Sequence, residues 1–124
     1  MKQFRVKNLR TDEVIVPRAS LAADPFNRMR GLLGKASLSP GEGIILQPAS
    51  SIHTLFMRFA IDVIYLDEKG AIKKVVPNLV PFRFSWARGS HTVIEVPSGA
   101  TRVLDLIPGD RLDWEADPSS DGAA

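Results

Sequence analysis

The residues best suited to chemistry lie together in one short stretch of the chain: His53, Met57, Arg58 and Asp62. Alternate side chains of an extended strand share a face, so His53 and Met57 are predicted to point the same way. Imidazole and thioether groups both suit a soft metal such as copper. In the structural alternative, the histidine bonds to the backbone and the methionine fills the core. We favour that alternative, because two ligands do not make a metal site and the second histidine, His91, is distant in sequence.

A second set of candidates consists of Arg58, Asp62 and Glu95. Asp62 stands at the head of an apolar run, where a carboxylate needs a partner or a cap. A buried ion pair with Arg58 would satisfy it, and this is the favoured interpretation. Alternatively, Arg58 binds a ligand carboxylate or phosphate while Asp62 orients it. Asp62 and Glu95 could also act as a pair of catalytic carboxylates, but the sequence does not set their separation.

Several classes of site are excluded by residues that the chain does not contain. It has no cysteine, which removes zinc fingers, iron–sulfur clusters and cysteine nucleophiles. It also has neither a phosphate-binding GxxxxGK[ST] loop nor a GxSxG nucleophile elbow. We therefore expect no cofactor and no resident metal.

A run of alternating aromatic and basic residues begins at Phe82. Period two places Phe82, Phe84 and Trp86 on one face and Arg83 on the other. Such a composition can form a stacking platform for single-stranded nucleic acid, but three aromatic side chains on one face more often belong to a core or a pocket lid. The net charge of +2 is also low for a nucleic-acid binder. Nucleic acid is therefore not the expected partner.

Short apolar runs divided by turn residues make up most of the chain, which is typical of an all-β protein. Phe4 and Val6 lead through a polar turn to residues 14–16, which predicts a hairpin. Asp24 and Pro25 resemble an N-cap and first turn. The fold class is therefore mainly β: a compact antiparallel β-sandwich or partly closed barrel with one short α-helix near residues 24–33.

The chain has 124 residues, which is enough for one domain that needs no disulfide. We expect a single β-rich domain over residues 1–116 and a disordered polar tail over residues 117–124. No stretch approaches the ~20 apolar residues that span a bilayer. The absence of a signal segment favours the cytoplasm, and export stays open if the numbering starts after a removed signal.

Three motifs in this order resemble one family of small bacterial and archaeal proteins, the domain of unknown function 192. They lie at residues 28–35, 52–67 and 93–99, and their matching positions are Arg30-Gly31-Leu32, Met57, Asp62 and Glu95. The resemblance implies a compact β-sandwich or barrel with a short helix, and no established activity. Phe56 and Ala60 depart from the family, which often has tryptophan and proline there.

The combined expectation is a non-catalytic binding module for a small anionic ligand or a peptide segment. Its candidate site residues are His53, Met57, Arg58, Asp62, Arg30 and Glu95. The alternative function is a metal- or carboxylate-dependent hydrolase that uses His53 with Asp62 or Glu95. The oligomeric state stays open.

Overall fold

The structure is a computed structural model that describes residues 3–22, 38–55 and 57–118. Within these ranges the chain is mainly β, which confirms the expected class. Nine strands and one helix are defined there: β1 Gln3–Asn8, β2 Glu13–Ala22, β3 Glu42–Leu46, β4 Ser51–His53, β5 Ile61–Leu66, β6 Ile72–Leu79, β7 Phe84–Trp86, β8 Thr92–Pro97, β9 Leu112–Ala116 and α1 Ala100–Val103. No helix in these ranges has the length and apolar character needed to cross a membrane.

Seven of the strands form one large sheet in the order β6-β5-β8-β3-β2-β1-β9, while β4 and β7 form a separate small sheet. The large sheet is not closed into a barrel. Among the described residues, its two edges meet at one corner, where an antiparallel bridge joins Ala71 and Arg111. The arrangement of two sheets therefore agrees with the sandwich alternative.

Strand pairing follows the expected antiparallel pattern with one exception. The predicted first hairpin is confirmed, since β1 and β2 pair antiparallel with Val6 opposite Val16. However, β2 and β3 run parallel, so the large sheet is mixed, with one parallel pair among antiparallel ones. A parallel pair needs a crossover of a dozen or more residues, and residues 23–41 supply that length of chain.

The large sheet is buried on both faces. Because side chains alternate along a strand, Ile61, Val63 and Tyr65 of β5 enter one apolar cluster, whereas Ile64 and Leu66 enter another. The first cluster also holds Ile52 and Ala87 from the small sheet and its flank, so we call that side the small-sheet face. Ala100 and Leu104, in and after α1, pack against the second cluster, which defines the helix face.

The helix predicted near residues 24–33 lies outside the described residues, as do residues 119–124 of the predicted tail. Helix α1 was not predicted, because four residues are too few to show a helical period. It follows Gly99, whose φ of 91° suits glycine. The Asp117 N–H donates to the Gln3 carbonyl at 2.8 Å, so the start of the predicted tail is hydrogen-bonded to β1.

Candidate functional site

Asp62 is fully buried and its carboxylate is satisfied by hydrogen bonds. Oδ1 accepts from the backbone N–H groups of Asn78 at 2.8 Å and Gly99 at 3.0 Å. Oδ2 accepts from the Thr101 N–H at 2.9 Å and the Thr101 hydroxyl at 2.6 Å. Burial alone would raise the pKa of Asp62, but these four bonds outweigh it, and the pKa lies below its ordinary value. Asp62 therefore joins the start of α1 to strand β6.

Arg58 is not the partner of Asp62. Its side chain is exposed, and the ion pairs found among the described residues do not include it. The prediction of a buried Arg58–Asp62 pair was therefore wrong. The Asp62 carboxylate is instead bonded to the backbone N–H groups of Asn78, Gly99 and Thr101. Two of these residues, Gly99 and Thr101, reach Asp62 because the turn after β8 folds over β5.

Asp62 and Glu95 lie on opposite faces of the large sheet. Asp62 is paired with Val96, whose side chain belongs to the helix face, while Glu95 is paired with Val63 on the small-sheet face. Both carboxylates are buried, and the sheet separates them. The catalytic pair of carboxylates considered above is therefore not assembled.

His53 and Met57 do not share a face either. Met57 is buried in the small-sheet cluster, whereas His53 is exposed at the end of β4. The strand ends at His53 and the chain turns, so period two does not continue to Met57. The Leu55 N–H donates to His53 Nδ1 at 3.4 Å. Within the described residues, no group of three or more His, Asp or Glu side chains could hold a metal ion.

His91 occupies a different place from His53. Its Nδ1 lies 3.3 Å from the Thr92 hydroxyl. It lines an open cavity of about 310 Å³ together with Pro48, Ala49, Ser50, Ser51 and Ser90. The remaining predicted site residue, Arg30, lies outside the described residues.

The outer side of the small sheet carries the largest aromatic side chains of this region. Phe82, Phe84 and Trp86 are 67%, 66% and 67% exposed, respectively, so of the two expected roles, core or pocket lid, the core is excluded. His53 stands opposite Phe84 in the strand register, with ring centroids 6.3 Å apart. We call His53, Phe82, Phe84 and Trp86 the aromatic surface. Sequence analysis found these residues but set three of them aside, although their alternation with arginine was the signal.

Thr54 fixes the loop that carries Phe82. It is fully buried, and its hydroxyl donates to the Val80 carbonyl at 2.7 Å and accepts from the Arg83 N–H at 2.9 Å. Its carbonyl accepts from the Phe82 N–H at 3.0 Å. Phe82 is held with a φ of 65°, a left-handed conformation that costs a non-glycine residue about 1–2 kcal/mol. Strain of this kind at an exposed side chain points to function.

Ser85 anchors the small sheet to the large one. It lies between the exposed Phe84 and Trp86 and points inward, where it is buried. The Tyr65 hydroxyl donates to its Oγ at 2.8 Å. Lys74, which lies in strand β6 of the large sheet, donates from Nζ to the Trp86 carbonyl at 2.9 Å. The backbone that presents the aromatic surface is thus bonded to the large sheet at both Ser85 and Trp86.

Comparison with known proteins identifies the family. Residues 6–114 match the model of domain of unknown function 192, described as "Uncharacterized ACR, COG1430". The chain belongs to this family. The sequence resemblance stated above is confirmed over nearly the whole described domain.

The curated relatives of this family member are archaeal. A UPF0127 protein of Thermococcus sibiricus is 32% identical over 105 residues, which cover 81% of this chain and 68% of the relative. The UPF0127 protein PF1050 of Pyrococcus furiosus is 43% identical over 68 residues, or 52% of this chain and 56% of the relative. The match therefore spans about two thirds of the first relative and about half of the second.

Two solved bacterial structures share the fold. A protein of Sinorhizobium meliloti, described as a candidate transcription regulator, has a TM-score of 0.73 at 22% identity and covers 91% of this chain and 92% of its own. A protein of unknown function from Novosphingobium aromaticivorans has a TM-score of 0.73 at 21% identity, covering 90% of this chain and 84% of its own. At these identities the likeness concerns the fold alone.

Proposed function

We propose that this protein is a non-catalytic binding module and that the aromatic surface binds an anionic ligand. The observation that carries the proposal is the exposure of three large aromatic side chains, Phe84 and Trp86 in strand β7 and Phe82 in the loop before it. Contiguous exposed apolar groups rimmed by polar ones mark interaction sites. A surface of this shape suits an extended ligand better than an enclosed small molecule.

Exposed arginines accompany these rings in the sequence, because Arg83 lies between Phe82 and Phe84 and Arg88 follows Trp86 by two positions. Arg58, Arg83 and Arg88 are all exposed, and none of them takes part in the ion pairs found among the described residues. Arg83 Nη1 donates to the Phe82 carbonyl at 3.2 Å, so its guanidinium lies next to the backbone that carries Phe82. Arginine at such a site favours carboxylate and phosphate groups.

Two features support binding over hydrolysis. Asp62 and Glu95, the carboxylates of the hydrolase alternative, lie on opposite faces of the large sheet. His53 contacts a backbone N–H and an aromatic ring; within the described part of the chain, no carboxylate bonds to it. General acid–base catalysis needs such groups within hydrogen-bond reach of one another.

The test measures the binding of labelled polyanions by fluorescence anisotropy at low salt. The probes are a 12-residue polyglutamate and a 12-nucleotide oligothymidylate. We expect at least one probe to bind, and the double variant Arg83→Gln/Arg88→Gln to weaken that binding about tenfold, which is roughly 1.4 kcal/mol.

The matched control is Arg102→Gln, because Arg102 is an exposed arginine in α1, which packs on the opposite face of the large sheet. It should leave binding unchanged. Binding of neither probe, or an equal loss in the control, would overturn the proposal.

A further inference from the structure

We infer that the ligand of the aromatic surface is single-stranded nucleic acid, an inference that rests on the binding function proposed above. Three independent features support it: the distribution of charge, the spacing of the rings and the rigidity of the backbone that presents them.

The two chain segments that contain the strands of the small sheet are rich in basic residues. Strand β4 lies within residues 43–61 and β7 within residues 69–94, and neither segment contains an aspartate or glutamate. Together they contain six basic residues: Arg58, Lys69, Lys73, Lys74, Arg83 and Arg88. Asp67 interacts electrostatically with Lys69 and Lys73, and Glu95 is buried on the small-sheet face. The cations that accompany the aromatic surface are therefore Lys74, which bonds to the Trp86 carbonyl, and the exposed Arg83 and Arg88. A polyanion would be attracted there, with affinity that falls as salt rises.

The spacing of the aromatic rings suits separated bases. Phe84 and Trp86 are two residues apart on one strand, which places them ~6.8 Å from each other along it. That distance is about twice the 3.4 Å between stacked bases of one strand. Bases bound on these rings would be unstacked from their neighbours, a state open to single strands and closed to a duplex.

The rings stand on a backbone that is already fixed. Thr54 holds the loop of Phe82 through its buried hydroxyl, and Ser85 bonds to Tyr65 beneath Phe84 and Trp86. A surface ordered before binding loses little conformational entropy when the ligand arrives.

An acidic peptide could use the same cations. Its carboxylates, however, would leave three flat apolar faces in water. Each nucleotide brings one phosphate for a cation and one base for a ring. Single-stranded nucleic acid therefore uses both components of the surface.

The experiment compares four labelled probes under one set of conditions: a 12-nucleotide oligothymidylate, an abasic oligomer of the same length, a 12-base-pair duplex and a 12-residue polyglutamate. We expect the oligothymidylate to bind at least about tenfold more tightly than each of the others. It should also quench the fluorescence of Trp86.

Two sets of variants assign the binding to this surface. Phe84→Ala/Trp86→Ala should weaken oligothymidylate binding about tenfold or more, whereas Val103→Ala, which trims an exposed apolar side chain on α1, should have no effect. Arg83→Gln/Arg88→Gln should lower the slope of log K against log salt by about 1.4, the value for two lost phosphate contacts with a single strand.

The possible failures are distinguishable. If polyglutamate binds as tightly as the oligothymidylate, or the abasic oligomer does, the nucleic-acid inference is wrong while the binding function stands. If the duplex binds equally well, the preference for single strands is wrong. If no probe binds, both this inference and the proposed function fall.

Discussion

Asp62 shows how one buried carboxylate can organise two elements without a cation. Its four hydrogen bonds come from Asn78, Gly99 and Thr101, which belong to β6 and to the start of α1. Hydrogen bonds to a charged group contribute about 1.5–3 kcal/mol each, and loss of the acceptor leaves buried donors unsatisfied. This single side chain is therefore a large local contribution to stability.

Asp62→Asn should destabilise the protein by about 2 kcal/mol at pH 7, because an amide nitrogen cannot accept the two Thr101 bonds. The folded pKa of Asp62 is depressed below its ordinary value of 3.8. The stabilisation is therefore fully present above about pH 4 and is lost as pH falls through the folded pKa. Urea denaturation of both proteins across pH should show a gap that narrows below pH ~4.

The control for this substitution is Glu68→Gln at an exposed position, which should change stability by no more than ~0.5 kcal/mol. A gap between wild type and Asp62→Asn that stays constant down to pH ~2 would contradict the assigned role of the carboxylate.

At the scale of single residues, the sequence predicts that the buried Asp62 carboxylate needs a partner or a cap. The structure confirms this, because the carboxylate accepts four hydrogen bonds. The sequence could not identify these partners. Asn78 lies near the end of β6 and Gly99 lies beyond β8, so both are far from Asp62 along the chain. Charge complementarity suggested Arg58, which is near in sequence, yet the fold placed three backbone amides closer. Proximity along the chain was the misleading signal.

The loop of residues 80–83 shows how an element can hold an unfavourable conformation. Phe82 adopts a φ of 65° because its N–H, together with the N–H and carbonyl of Arg83, is bonded to Thr54. Glycine adopts positive φ without the steric cost of a Cβ. The left-handed backbone strain at Phe82 should therefore be relieved in Phe82→Gly and remain in Phe82→Ala.

Phe82→Gly should be more stable than Phe82→Ala by about 1 kcal/mol, measured by urea denaturation. The matched pair at Phe84 should have the opposite sign. Phe84 lies in strand β7 and is not among the described residues with positive φ, so Phe84→Gly should be less stable than Phe84→Ala by roughly 0.5–1 kcal/mol. The same sign at both positions would contradict the strained geometry.

At the scale of elements, apolar runs bounded by turns predict most strands of the described chain. Alternation also places Phe84 and Trp86 on one face of β7 correctly. Alternation cannot decide which face of β7 is buried. Ser85, which lies between Phe84 and Trp86, is smaller and more polar than either, so hydrophobicity alone would bury the two rings instead. Ser85 is buried because its hydroxyl meets Tyr65, a contact between two sheets that a linear pattern does not encode.

At the scale of the whole molecule, the two faces of the large sheet carry different features. Its helix face is used for packing and for the hydrogen bonds of Asp62, while its small-sheet face supports the exposed aromatic rings. The sequence-based site grouped residues 53–62 as one stretch, but the sheet divides that stretch between its two faces. Topology, which requires pairing between distant strands, is the information that the sequence pattern lacks.

The corner where the edges of the large sheet meet depends on Gly70. Gly70 has a φ of 84°, a left-handed conformation that glycine adopts without the steric cost of a Cβ. The close approach behind it was not predictable: a Cβ on Gly70 would lie 2.6 Å from the Leu112 carbonyl oxygen. The Leu112 N–H in turn donates to the Gly70 carbonyl at 2.8 Å, beside the Ala71–Arg111 bridge. Backbone on both sides prevents the contact from relaxing.

Gly109→Ala provides the matched comparison for Gly70→Ala. Gly109 has a similar φ of 88°, but a Cβ there would meet nothing within 4 Å. Its substitution should cost only the left-handed strain, about 1–2 kcal/mol. Gly70→Ala should cost about 1–3 kcal/mol more, because overpacking adds to the same strain. Urea denaturation of the two variants measures this difference directly, and equal losses would mean that the corner opens without cost and does not tie the two edges together.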